Sequence, residues 1–279
     1  MKAITDEIVN RFKLNLYEEE KSDNTISKYM RDIRFFREWL GVRELEKSSV
    51  LEYKKELCMK YAPASINSIL SSLNALFAFM DWHDLKVKTL KIQRQIFYCN
   101  DRELTKAEYE RLLTAAKSKS NERLYYLMQT ICSSGIRVSE LRHITIEAVK
   151  GRQATICCKG KMRVVILPKE LCKMLLEYAK RNSIASGAIF ITKTGKPIDR
   201  SSIWKMMKSL CENADVSKEK VFPHNLRHLF ARTFYSLQKD IVRLADILGH
   251  SSVNTTRIYT IETGETHRRQ IQKLGLLRL

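Results

Sequence analysis

The feature that most constrains the fold is a change of hydrophobic period near residue 95. Before it, apolar residues recur only at helical spacing. After it, helical stretches are interrupted by one short alternating stretch. Such a chain builds an all-helical unit followed by a mixed one. Ile4 to Glu20 carries Ile8, Val9, Phe12 and Leu16 on one face. Thr25 to Leu40 does the same with Ile26, Tyr29, Met30, Ile33, Phe36 and Leu40, and Gly41 stands where a C-capping glycine belongs. Ser48 or Ser49 is expected to cap a third helix through Met59, and Ser65 a fourth through Trp82. Four short helices with tight connections make a small bundle.

In the second part, Thr105 and Glu108 form a capping box that opens a helix over 105–117, followed by one over 121–133 ending near Gly135. Ala154 to Cys158 and Arg163 to Leu167 alternate around Lys159-Gly160-Lys161, the pattern of a β-hairpin with a glycine turn. Further helices are expected at 169–182, 201–214, 224–237, 240–248 and 252–259, with Pro168, Pro197 and Pro223 at boundaries. The fold class is two-domain: an all-α N-terminal bundle, then a mainly helical α+β domain with a small antiparallel sheet. The expected boundaries are 1–95 for the bundle, 96–103 for a basic linker and 104–279 for the second domain.

The net charge of +19 calls for a polyanionic partner, by default a nucleic acid. It is unevenly spread, with 17 basic and 14 acidic residues in 1–98 against 33 and 17 beyond. On the second helix Lys28, Arg31, Arg34 and Arg37 recur every three residues, as a solvated face or as the lining of a DNA groove. The seven cysteines are odd in number and lack Cys-x-x-Cys spacing, so neither a zinc site nor a disulfide framework is expected. No run approaches the roughly 20 apolar residues of a membrane span. The N-terminus turns polar at once, which points to a cytoplasmic protein with no membrane association.

One string of side chains carries chemistry: Arg137, Lys159, His224, Arg227, His250 and Tyr259. Guanidinium groups offer paired donors to two phosphate oxygens and keep their charge near neutral pH. His224 and Arg227, at i and i+3 after Pro223, share one helical face near an N-terminus that itself favours anions. Lys159, at the hairpin tip, can reach into a groove, although Lys161 shares the turn. Glu140, three residues beyond Arg137, suits a bracing role, and His228 a structural one.

The segments read Ser-Gly-Ile-Arg-Val-Ser-Glu-Leu-Arg (134–142), His-Asn-Leu-Arg-His (224–228), Leu-Gly-His (248–250) and Thr-Thr-Arg-Ile-Tyr-Thr (255–260). In order and spacing they resemble the motifs of the tyrosine recombinase (phage integrase) family, across most of the C-terminal two-thirds of the chain. The resemblance implies a SAM-like core-binding bundle at the N-terminus and a catalytic domain after it. It implies that Tyr259 is the nucleophile, forming a 3′-phosphotyrosyl bond and leaving a free 5′-hydroxyl. Arg137 and Arg227 would clamp the phosphate and Lys159 would protonate the leaving oxygen. His224 would serve as acid or base, and His250 would bond the phosphate and position the tyrosine.

Neither cofactor nor metal is then required, because the covalent intermediate conserves the bond energy. The implied partners are double-stranded DNA and further copies of the chain, in a tetramer on two sites. The apolar tail Leu274, Leu276, Leu277 and Leu279 would dock into a neighbouring subunit. The layout resembles bacterial Xer recombinases and compact mobile-element integrases; the missing His-Pro-Arg close favours the latter. Two rival readings use the same residues: DNA relaxation of the type IB topoisomerase kind, and a DNA-binding protein without catalysis.

Overall fold

The computed structural model describes residues 2–92, 102–158, 161–192, 194–259 and 272–273. The chain divides into two compact units, Met1–Arg94 and Gln95–Leu279. Only 102 and 103 of the expected linker are among the described residues, as are only 272 and 273 of the segment after Tyr259.

The first unit holds α1 (Asp6–Glu18), α2 (Asp23–Leu40), α3 (Lys47–Lys60) and α4 (Pro63–Phe79). Their apolar stripes meet in one core that includes Phe12, Ile33, Phe36, Val50, Leu57, Leu70, Leu73 and Phe77. Phe36 anchors it, with its ring 5.0 Å from that of Tyr53 and 6.4 Å from that of Phe77. Two helix starts differ from expectation. Glu46 caps α3, and Ser49 sits at the third helical position, returning its hydroxyl to the Glu46 N–H. The fourth helix opens at Pro63, whose missing N–H and fixed φ suit a first helical position better than Ser65 suits a cap. It ends at Phe79, before Asp81 turns to φ 54°.

Among the described residues of this unit the buried charge is Asp32, 3% exposed. It pairs with Lys28 at 2.9 Å and accepts from Ser72 Oγ at 2.8 Å, tying α2 to α4. The remaining cations of the α2 row also have acids: Arg31 with Asp32, Arg34 with Glu38, Arg37 with Asp6. Arg31, Arg34 and Arg37 line a cleft of about 580 Å³ with Lys13 of α1.

In the second unit, α5 (Lys106–Ser118) opens on the expected capping box, with the Glu108 N–H on Thr105 Oγ1 and the Thr105 N–H on Glu108. Helix α6 (Glu122–Ser134) ends at left-handed Gly135. A 3-10 helix, Val138–His143, and α7 (Ile146–Lys150) lead to the hairpin of β1 (Gln153–Cys158) and β2 (Lys161–Ile166). The strands are antiparallel, from Gln153 opposite Ile166 to Cys158 opposite Lys161. The second strand thus starts and stops earlier than its alternation suggests, and Leu167, whose N–H still donates to Arg152 O, packs into the core. Then come α8 (Lys169–Arg181), α9 (Arg200–Lys208), α10 (Pro223–Gln238), α11 (Ile241–Leu248) and α12 (Val253–Thr256).

Helix α9 stops six residues short of expectation. Tighter i→i−3 bonds, Leu210 N–H to Met207 O and Cys211 N–H to Lys208 O, turn the chain so that Leu210, Cys211 and Ala214 enter the core. The helix expected over 252–259 is α12 followed by a 3-10 turn, Arg257–Tyr259.

Helices α5, α6, α8 and α9 and the inner hairpin residues Ala154, Ile156 and Val165 share the main core. Ala231, Leu244, Leu248 and Tyr259 form a separate small core against Phe230, Phe234 and Tyr235. The start of α10 is pinned by Asn225, which donates to Arg102 O at 2.8 Å and Lys220 O at 2.6 Å, and Arg232 pairs with Glu103 further along. Among the described residues, no helix is long and apolar enough to cross a membrane.

Candidate functional site

Three of the four motif segments cross-brace one another. Arg227, from α10, is 1% exposed. Its Nη1 donates to Gly135 O, and its Nη2 to Leu248 O at 2.7 Å. Arg137, just before the 3-10 helix, donates from Nη2 to Gly249 O at 3.1 Å. Each arginine is therefore held by a backbone carbonyl from another motif. The two glycines carry more than a turn. Both have φ of +63°, and a Cβ at Gly135 would lie 2.5 Å from Phe230 Cδ1. At Gly249 it would lie 2.3 Å from Arg163 Cδ. Only glycine permits both the left-handed backbone and the close approach.

Glu140 braces the second side of the site. It is 2% exposed and accepts from the Arg137 N–H and from Arg137 Nη1, each at 2.9 Å. Its Oε2 also accepts from Arg163 Nη2 at 2.5 Å. Burial pushes this carboxyl's pKa up, but the hydrogen bonds from Arg163 and Arg137 outweigh it and the net shift is downward. Arg137 and Glu140 meet across the start of a 3-10 helix rather than on an α-helical face.

Gly249 ends α11 with its N–H on Asp246 O while the His250 N–H reaches back to Ala245 O, the double closure that fixes where the next side chain points. His250 Nε2 lies 3.1 Å from Arg227 Nη2, and Nδ1 lies 2.8 Å from Thr256 Oγ1. A guanidinium only donates, so Nε2 must accept and Nδ1 must carry the proton. Desolvation, with Arg227 and Arg137 alongside, brings the His250 pKa down to about 4, in accord with that neutral tautomer. Arg227 is lowered to about 10 by burial and by Arg137, and remains a cation near neutral pH.

His224 opens into a cleft of about 580 Å³ lined by Arg137, Arg200, Trp204 and Arg227. Desolvation and the cations Arg227, Arg137 and Arg200 lower its pKa. A smaller cleft of about 270 Å³ lies on the other side of Arg137, against Arg163 and His250. Tyr259 is 6% exposed. Its ring stacks on that of His250 at 6.2 Å and meets His228 edge-on at 4.9 Å.

The structure thus brings together Arg137, His224, Arg227, His250 and Tyr259 of the expected string. Lys159 lies outside the described residues, between the paired Cys158 and Lys161. Sequence reading passed over Arg163 and Thr256. Arg163 had a signal: a charged residue at an inward position of an alternating strand, opposite buried Ile156 and between exposed Met162 and Val164. Thr256 had none beyond its nearness to Tyr259.

Residues 102–265 match the phage integrase family, and residues 9–83 match the phage integrase N-terminal SAM-like domain. The chain is 30% identical to tyrosine recombinase XerA of Thermococcus kodakarensis over 283 residues, covering 98% of this chain and 96% of the relative. It is 26% identical to XerD of Vibrio cholerae over 266 residues, covering 88% and 87%. A lambda integrase tetramer bound to a Holliday junction shares the fold, with a TM-score of 0.71 at 19% identity over 91% of this chain and 76% of that one. The chain belongs to the phage integrase family. Within it the chain is a tyrosine recombinase of the Xer type, a site-specific enzyme that transfers DNA strands.

Proposed function

We propose that the cross-braced arginines hold the scissile phosphate and that Tyr259 attacks it. The observation that carries this reading is the convergence of Arg137, Arg227, His224 and His250 on adjoining clefts, with the Tyr259 ring stacked on His250. Arg227 Nε is buried and has no hydrogen-bond partner among the described residues, which suits a donor kept for an incoming anion. In-line attack by the Tyr259 oxygen forms a 3′-phosphotyrosyl bond and releases a 5′-hydroxyl. Fixed guanidinium charge stabilises the transition state without reorganising as the reaction proceeds. Lys159 protonates the leaving 5′-oxygen, His224 acts as acid or base at the phosphate, and His250 positions the Tyr259 ring stacked on it.

The helical unit and the catalytic unit both engage duplex DNA, and four copies on two sites exchange strands through a four-way junction. The tail around Leu276 docks into a neighbouring copy. Light scattering of the protein on a four-way junction tests the assembly. Four copies per junction are expected, falling to two or fewer when residues 274–279 are removed, with cleavage of a single nicked site retained. A tail-less protein that still assembles as four would contradict the docking role. Full relaxation of supercoiled DNA without sequence preference would favour the topoisomerase reading instead.

A further inference from the structure

A tyrosine that attacks a phosphate must lose its proton, and two imidazoles lie against the Tyr259 ring. His250 has no nitrogen to spare: Nε2 accepts from Arg227 and Nδ1 donates to Thr256. His228 is placed otherwise. It follows His224 by one turn of α10, and its ring meets Tyr259 at 4.9 Å and 89° on one side and His224 at 4.6 Å on the other. Its Nε2 is buried and finds no hydrogen-bond partner among the described residues. Such an orphan costs stability that a phenylalanine here would not, so it calls for a functional account. Burial, with His224 and Arg227 nearby, holds the His228 pKa down to about 4, leaving a neutral ring with one lone-pair nitrogen near neutral pH.

We propose that His228 is the proton acceptor for Tyr259, its Nε2 taking the phenolic proton as the phenol oxygen bonds to phosphorus. The inference rests on Tyr259 being the nucleophile, as argued above. In the balanced step the Oη–P bond forms and the P–O5′ bond breaks. The Oη proton passes to Nε2, and the 5′-oxygen leaves with a proton from an acid on the far side of the phosphate. Religation runs the same transfers backwards. An anionic phosphate beside Arg227 and His224 offsets the positive charge that weakens this base, so His228 gains basicity where the substrate is bound. His224 faces the cleft with Arg137 and Arg200 and is left to act on the phosphate.

The test compares covalent adduct formation by the full chain, His228→Phe and His228→Gln on nicked duplexes with either oxygen or sulfur as the 5′-bridging atom. Sulfur departs without a proton, so it rescues the loss of an acid and not of a base. His228→Phe is expected to bind DNA unchanged and to react about a hundredfold slower on both substrates. His228→Gln, whose amide oxygen accepts a hydrogen bond but not a proton, is expected to fall between. A parental rate for His228→Phe, or a defect restored by sulfur, would overturn the proposal. Should the phenylalanine variant fail to fold, a parental rate for His228→Gln would overturn it equally. A parent chain that forms no adduct on either substrate would bring down the Tyr259 reading, and this inference with it.

Discussion

Asp32 of the first unit and Arg227 of the second are both buried charges, housed in opposite ways. Asp32 in the bundle has Lys28 and Arg31 as counter-charges and the Ser72 hydroxyl as donor. Arg227 in the catalytic unit has backbone carbonyls and a histidine nitrogen, with a second cation, Arg137, acting on it. Among the described residues no carboxylate pairs with it, and its Nε is unmatched. The contrast extends further: among the described residues, the buried side-chain nitrogens without hydrogen-bond partners, on Arg123, Gln129, Arg163, Arg227 and His228, all belong to the second unit. A charge that is neutralised inside the protein ties helices together. A charge that is held by carbonyls, with no carboxylate paired to it, suits the proposed anion from outside.

The largest effect expected from this contrast is on catalysis. Arg227→Lys should slow adduct formation by an amount equal to about 3–4 kcal/mol, since a point charge replaces a guanidinium at the phosphate. Asp32→Asn should instead lower stability by about 3 kcal/mol, read by denaturant unfolding, while catalysis at saturating DNA stays the same. Equal loss of catalysis in both variants would break the comparison.

Next comes Gly135→Ala, where a Cβ meets the Phe230 ring and the backbone is left-handed. A loss of about 2 kcal/mol is expected, together with slower cleavage, because the carbonyl that holds Arg227 belongs to the same residue. A variant of parental stability and rate would show that the cross-brace is not needed.

The smallest effect is on pH dependence. The folded pKa of His250 and of His228 is about 4, against an ordinary 6.5. The unfolded chain therefore binds more protons between those values. Stability from these two groups is complete above about pH 6.5 and is lost as pH falls toward 4. The Tm should fall as pH drops from 7 to 5, and the replacement of both histidines should flatten that slope.

Much of the bundle was legible because its signals are local. Helical stripes and Gly41 placed the ends of α1 and α2 to within two residues. Helices α3 and α4 started elsewhere because Glu46 and Pro63 compete with nearby serines for the cap, a contest that spacing does not decide. In the catalytic unit, Thr105, Gly135, Pro223 and Gly249 announced their helix ends. The site's motifs were legible as residue types, since phosphate chemistry demands cations and a nucleophile. What holds them was not legible. The bonds from Arg227 to Gly135, from Arg137 to Gly249 and from Arg163 to Glu140 join residues far apart in the chain. No local pattern records such pairs. The same is true of the early stop of α9, which long-range burial of Leu210 and Cys211 imposes.

The most direct measurement is covalent trapping in EDTA on nicked duplexes drawn from DNA flanking the gene, with Tyr259→Phe alongside. An SDS-stable adduct is expected with the parent chain and none with Tyr259→Phe, which should bind the same DNA equally well. An adduct that persists in Tyr259→Phe, or one that forms only when a divalent metal is supplied, would contradict Tyr259 as a metal-independent nucleophile.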